Sequence, residues 1–404
     1  MLARSTMTGR RVRYAAALAC AALALSACTS NGNGSPTVPV VGGSVASVAP
    51  AAQVSIAGGG STDFNPRTPI VVAVTDGRLT SVTVTNAVKG NTVTGTLSAD
   101  GSSWTSAEEL GYGSTYTVVA DAVGVDGKPT EQKGTVKTVT PAAQAYPALT
   151  PAPPAAGVTF GVGQIIGVSF DHNITDRAAV EKALTVRTNP PQPGGWYWID
   201  AKTLHYRPPV YWRAGTTITL EANLYGVDLG GGVYGQTDRS ATYQIHDSWV
   251  AKADGNSEQM QIVHNGVVTA TMPISIGKDA TPTHAGPHVI TDKQQQVVMD
   301  SCTYGVCPPA PGAYRSTEYW AERISNDGEF VHENPNMVGE QGSSNVSHGC
   351  INLSPQNAQA FFAQFGLGDV VEVTNTPGPP LPVWDAYGDW ELSWADWQAG
   401  SALH

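Results

Sequence analysis

The residues best suited to covalent chemistry lie late in the chain: Phe330-Val331-His332, then fourteen residues, then Ser347-His348-Gly349-Cys350-Ile351-Asn352. A thiol with an ordinary pKa of ~8.5 becomes a strong nucleophile when its anion is stabilised, commonly by an imidazolium. Two histidines are candidates for that partner. His348 is two positions from Cys350, so on extended backbone the two share a strand face. His332 is remote, and the apolar pair before it predicts the end of a buried strand. Gly349 leaves room for a substrate carbonyl, and N–H groups around Gly349 and Cys350 can form an oxyanion hole. Two histidines and a cysteine also suit zinc, yet no fourth ligand with metal-like spacing follows and His-Gly-Cys crowds two ligands. Neither a metal nor a cofactor is expected.

The neighbouring sequence indicates what must hold these groups. Ser354-Pro355 reads as a helix N-cap with proline at the first helical position, and Ala358, Phe361, Phe362 and Phe365 supply the apolar face. The nucleophile is therefore expected on a strand-to-helix connection. Asn265-Gly266 between apolar runs predicts a hairpin with a type I′ turn. Met272–Lys278 and Thr281–Gly286 follow it.

The histidine, the gap and the Ser-His-Gly-Cys-Ile-Asn run resemble the signature of the L,D-transpeptidase catalytic domain (the YkuD family), and Ser275–Lys278 and Thr281–Gly286 resemble its early strands. The resemblance implies an acyltransferase that attacks the third residue of a peptidoglycan tetrapeptide stem and expels D-alanine. Cys350 would hold the acyl group as a thioester, and a diaminopimelate amine of a second stem would complete a 3→3 cross-link. With water as acceptor, the same residues would make an L,D-carboxypeptidase. His332 would pair with the thiolate, oriented by the backbone carbonyl of Glu333. Ser347, His348, Gly349 and Asn352 would shape the donor site, while Tyr304, Tyr314 and Met299 would line a flap over the pocket. Carbapenems would acylate the same thiol. Glu333 and Asn334 stand where the family has small or aromatic residues. Cys302 and Cys307 fall on the expected flap, and in an oxidising compartment they read as a short-loop disulfide rather than free thiols.

The rest of the chain reads as a delivery device. Arg10, Arg11 and Arg13, an apolar run from Tyr14 to Leu25 and then Leu-Ser-Ala-Cys28 form an export signal. The last four residues resemble a bacterial lipobox, implying lipidation at Cys28. Residues 1–27 are thus expected to be removed, leaving the chain anchored to the outer face of the cytoplasmic membrane. A Ser/Gly/Asn/Pro-rich tether covers 28–52. Gly113–Asp126 and Gly215–Asp228 match without a gap at seven positions and an offset of 102 residues, about one immunoglobulin-like module. With 44 glycines and 28 prolines punctuating alternating apolar runs, the fold class is mainly β. It comprises two immunoglobulin-like β-sandwiches (53–145 and 146–247) followed by a β-rich catalytic domain (248–375) with a short helix after the nucleophile. A tryptophan-rich tail (376–404) is expected to pack back on the catalytic domain. The aromatics Trp196, Tyr197, Trp198, Tyr206, Tyr211 and Trp212 read as sandwich core plus an interface with the next domain. The net charge of −11, or −15 once four arginines leave with residues 1–27, excludes a phosphate-tracking nucleic-acid binder.

Overall fold

The computed structural model describes residues 49–403. The export signal, Cys28 and nearly all of the tether lie outside them. Among the described residues no helix is long and apolar enough to cross a membrane.

Each of the two repeated blocks forms a four-stranded sheet facing a three-stranded one. The repeat explains why. Thr115–Gly124 and Thr217–Ala222 are the middle strands of the two three-stranded sheets. At the repeat offset, Tyr116, Val118 and Ala120 become Ile218, Leu220 and Ala222, and all six point into their cores. Alternate residues of a strand face one side, so the repeat preserves a buried stripe rather than a chain of identities. The second block adds a short helix, Arg177–Ala183, that its sequence did not announce. The blocks meet through Tyr112, whose hydroxyl donates to the Gly235 carbonyl at 2.7 Å and whose ring lies 4.8 Å from that of Tyr225.

The last block holds a five-stranded sheet and a four-stranded sheet. The first runs in the order Val267–Pro273, Gln259–His264, Trp249–Asp254, Val370–Thr374, Gly286–Val289. The second runs Asp292–Asp300, Arg315–Arg323, Phe330–Glu333, Ile351–Leu353. Asn265 and Gly266 both take positive φ between their strands, as the hairpin requires. Helix Pro355–Gln364 starts where the cap signals place it, with Ser354 Oγ accepting from the Asn357 amide. Its buried Phe361 stacks on Phe365 at 4.1 Å over a core that includes Ile262, Ile274, Val331 and Ile351.

The second sandwich and the last block share a core. Val250 and Val370 pack into the cluster built on Ile166, Val168 and Ile218. The Gly161 and Gly163 amides donate to the carbonyls of Leu367 and Gly368, both at 2.8 Å. A Cβ on Gly161 would lie 2.2 Å from the Asp369 nitrogen, so only glycine permits this approach.

The tail packs on the catalytic domain, where the Ala285 amide donates to the Pro379 carbonyl at 2.9 Å and Thr376 Oγ1 to the Thr283 carbonyl at 2.7 Å. Its tryptophans reach further, to a buried cation of the second sandwich. The Arg207 guanidinium lies 4.9, 5.7 and 4.5 Å from the rings of Trp390, Trp394 and Trp397. Trp397 stacks on Tyr197 and donates to the Gly195 carbonyl at 2.9 Å. Tyr211 meets Trp390 edge-on. The aromatic cluster of the second module is therefore core on one side and a seat for the tail on the other. Trp397 is completely buried, and Trp397→Ala should cost about 3–5 kcal/mol. Urea denaturation would show this as a lower midpoint.

Candidate active site

Cys350 is 9% exposed and stands in a bend just before the short strand Ile351–Leu353, not after it. The strand-to-helix connection expected to carry it is thus one strand further on. His348 and Cys350 do not share a strand face either. Gly349 takes φ +121°, which breaks the extended path on which that reading depended.

Four upstream contacts hold the bend. The Ser347 amide donates to the Ile276 carbonyl at 3.1 Å, and the Lys278 amide donates back to Ser347 at 3.1 Å. Thr281 Oγ1 donates to the Ser347 carbonyl and Thr283 Oγ1 to that of Gly349, at 3.1 and 2.7 Å. Both segments singled out before the structure therefore serve as braces. Ser347 itself is consumed by the loop, its hydroxyl donating to the Cys350 carbonyl at 2.6 Å and accepting from the Gly349 amide at 3.1 Å. That engagement removes the Gly349 N–H from the expected oxyanion hole. The Cys350 amide takes no acceptor among the described residues and keeps that capacity.

His332 ends the buried part of strand Phe330–Glu333, which runs parallel to Ile351–Leu353. Its Nδ1–H donates to the Glu333 carbonyl at 2.6 Å, which fixes the ring on the cavity that Cys350 also lines. Glu318 Oε2 stands 3.5 Å from the same Nδ1. Burial alone would depress the His332 pKa, but the Cys350 and Glu318 interactions outweigh it and lift it to about 10. The ring is an imidazolium at neutral pH. His348 goes the other way: partial burial and the neighbouring Lys278 ammonium hold its pKa below the usual value. Of the two candidate histidines, only His332 can act as the thiol's cation.

These groups open into a cavity of about 190 Å³. Met299, Tyr314, Ser347, His348 and Asn352 line it with His332 and Cys350. Asn352 Oδ1 is buried without a hydrogen bond, an acceptor left for a ligand. The Glu333 side chain is not part of the wall; its contribution is the carbonyl. Tyr304 ends a single turn, Ser301–Tyr304, and its side chain lies outside the described residues. Cys302 and Cys307 are joined by a disulfide across that turn.

A family model of the L,D-transpeptidase catalytic domain matches residues 248–373, and one of a bacterial Ig domain matches 61–228. L,D-transpeptidase 2 of Mycobacterium tuberculosis (strain CDC 1551 / Oshkosh) is 42% identical over 83% of this chain and 81% of its own. The chain belongs to the L,D-transpeptidase family. L,D-transpeptidase 5 of Mycobacterium tuberculosis (strain H37Rv) is 40% identical over 85% of this chain and 75% of its own. A solved L,D-transpeptidase in complex with imipenem is 32% identical, covering 56% of this chain and 99% of that one at a TM-score of 0.49.

In this transpeptidase the sequence reading missed Glu318. Ser316 and Glu318 alternate inward along Arg315–Arg323 and both line the cavity. Alternation in Ser-Thr-Glu-Tyr-Trp was the available signal, but it does not say which face meets His332. Burial tends to raise the Glu318 pKa, yet His332 and Ser316 hold it below the usual carboxylate value, so it is a carboxylate facing the imidazolium. Glu318→Gln removes one of the interactions that raise His332. The alkaline limb of the pH–rate profile should then begin at lower pH, with at most about a tenfold loss at pH 7. An unmoved limb would show that Glu318 does not tune the ring.

Proposed function

We propose that this transpeptidase forms 3→3 cross-links between diaminopimelate residues of peptidoglycan stem peptides. The observation that carries this reading is a buried cysteine, Cys350, beside a His332 held protonated, both opening into a cavity where Asn352 Oδ1 lacks a hydrogen bond.

The Cys350 thiolate attacks the carbonyl that joins the third stem residue to the terminal D-alanine. The carbonyl electrons move onto oxygen, to which the Cys350 N–H can donate a hydrogen bond. His332 gives its proton to the departing D-alanine nitrogen as the C–N bond breaks, leaving a thioester and a neutral imidazole. The diaminopimelate amine of a second stem then attacks the thioester. His332 takes the amine's proton, and the sulfur leaves as thiolate beside the restored imidazolium. Asn352 Oδ1 supplies an acceptor for a donor-stem N–H. A carbapenem would acylate the same sulfur by opening its lactam ring.

Export and lipidation at Cys28 would hold the chain on the outer face of the cytoplasmic membrane, with the sandwiches as spacers. A disaccharide-tetrapeptide incubated with the purified chain should yield free D-alanine and a cross-linked dimer by mass. A shortened monomer alone would instead make water the acceptor and the enzyme an L,D-carboxypeptidase.

A further inference from the structure

Of the four tail tryptophans, Trp390, Trp394 and Trp397 are consumed by the guanidinium of Arg207. Trp384 is not. It is 67% exposed, and its ring has neither a ring contact nor a hydrogen bond among the described residues. We propose that Trp384 and Asn326 form a saccharide subsite for the glycan to which the stem peptide is attached, an inference that rests on the transpeptidase reading above.

A single exposed apolar side chain needs no explanation by itself, but this one is held and placed. Leu381 and Asp385, on either side of it, are both buried. The Asp385 amide donates to the Pro382 carbonyl at 2.9 Å and the Gly388 amide to the Asp385 carbonyl at 2.7 Å, closing two successive turns. Ala386 and Tyr387 take positive φ without being glycine, a conformation that persists only where the surroundings enforce it. An indole on so fixed a turn offers a large apolar face that loses little freedom when a ligand covers it.

Its place is the rim of a second cavity, of about 300 Å³, which shares Tyr314 and His348 with the first. On one side the tail is fastened to Ala285, next to His284 of the cavity wall. On the other, Asp385 Oδ1 accepts from the Asn326 amide, next to Asp327 of the same wall. Two residues past Asn326, the Gly328 carbonyl accepts from the Cys350 thiol at 3.6 Å. The reacting carbonyl belongs to the third stem residue, and three extended residues span only about 10 Å. A stem that reaches the sulfur therefore leaves its sugar at the rim. The indole face suits the C–H side of a pyranose ring. The side-chain amide of exposed Asn326 makes no hydrogen bond among the described residues and can both donate to and accept from hydroxyl or acetamido groups. No lysine or arginine lines the cavity among the described residues, which favours an uncharged, hydroxyl-rich ligand over an anion.

The test compares D-alanine release by the full chain from a free tetrapeptide and from the disaccharide-tetrapeptide. The wild type should show a KM about tenfold lower for the sugar-bearing form at similar kcat, because the sugar adds binding and no chemistry. Trp384→Ala should erase that difference by raising KM for the disaccharide form alone, and Trp384→Phe should restore most of it. Asn326→Ala should cost about threefold in the same KM, the worth of one hydrogen bond. Both side chains are exposed, so thermal transitions should match the wild type. Equal KM values for the two substrates in the wild type would overturn the subsite, as would a Trp384→Ala effect that is absent or shared by the free tetrapeptide. Sedimentation with insoluble peptidoglycan gives a readout without turnover. The Cys350→Ala chain should co-sediment, and adding Trp384→Ala should leave most of it in the supernatant; unchanged retention would again overturn the subsite. Failure of both substrates to release D-alanine would instead strike the transpeptidase reading, and sedimentation would still decide the subsite.

Discussion

Replacing the sulfur should abolish the enzyme: Cys350→Ala is expected to release no D-alanine, form no dimer and take up no carbapenem mass. The loss follows from the route. Without the thiolate there is no thioester, and the remaining groups offer only binding and oxyanion stabilisation. Turnover should fall by at least about 10⁴-fold, as when a member of a nucleophilic set is removed. The side chain is small and packs with Met299, Ala321 and Phe330, so the variant should fold. Its intact thermal transition is the control. One further readout is specific to the pair. Cys350 is among the causes that hold His332 at about 10, so in Cys350→Ala the ring should titrate at a distinctly lower pH by NMR. Residual turnover within tenfold of the wild type would end the proposed mechanism.

The second large effect should come from His332→Gln. Glutamine keeps a hydrogen-bonding amide near the sulfur but carries neither charge nor a transferable proton. Both the thiolate partner and the acid for the leaving amine disappear, so kcat/KM at pH 7 should fall about 10³-fold or more. Alkylation of Cys350 by iodoacetamide isolates the first loss. It should slow markedly at pH 7 and recover towards pH 9, where an unassisted thiol with a pKa of ~8.5 ionises by itself. Stability gives an independent sign. The folded-state pKa of His332 is raised above its ordinary value, so its contribution is fully present below pH ~6.5 and is lost as pH rises through about 10. Denaturation midpoints of the wild type should decline across that window, and the decline should shrink in His332→Gln. Alkylation rates equal in the two proteins at pH 7 would contradict the imidazolium assignment.

What could be read in advance was local or periodic. The cap at Ser354-Pro355 acts within one turn, and the module repeat repeats a buried stripe, so both survive without knowledge of the tertiary arrangement. The pairing of His332 with Cys350 was legible because residue types and spacing together specify a chemical unit. Other features depended on three-dimensional choices. A positive φ at Gly349 decided that His348 and Cys350 do not stand side by side. Glu318 reached His332 through the register of a hairpin in which Val297 pairs with Glu318 and Met299 with Ser316. The tail tryptophans went to Arg207 because a guanidinium buried in a neighbouring module needed aromatic faces, and a cation's burial is invisible from its own sequence window.

The common core between the second sandwich and the catalytic sheets limits how the chain can be cut. A fragment starting at Ser248 would strip the cover from Val250 and Val370, leave the Leu367 and Gly368 carbonyls without their donors, and remove the seat of Trp390 and Trp397. It would present a fresh apolar scar and a loose C-terminal arm, a recipe for aggregation rather than a smaller enzyme. The shortest piece able to stand alone begins before Pro147, with the second module kept as part of the catalytic body.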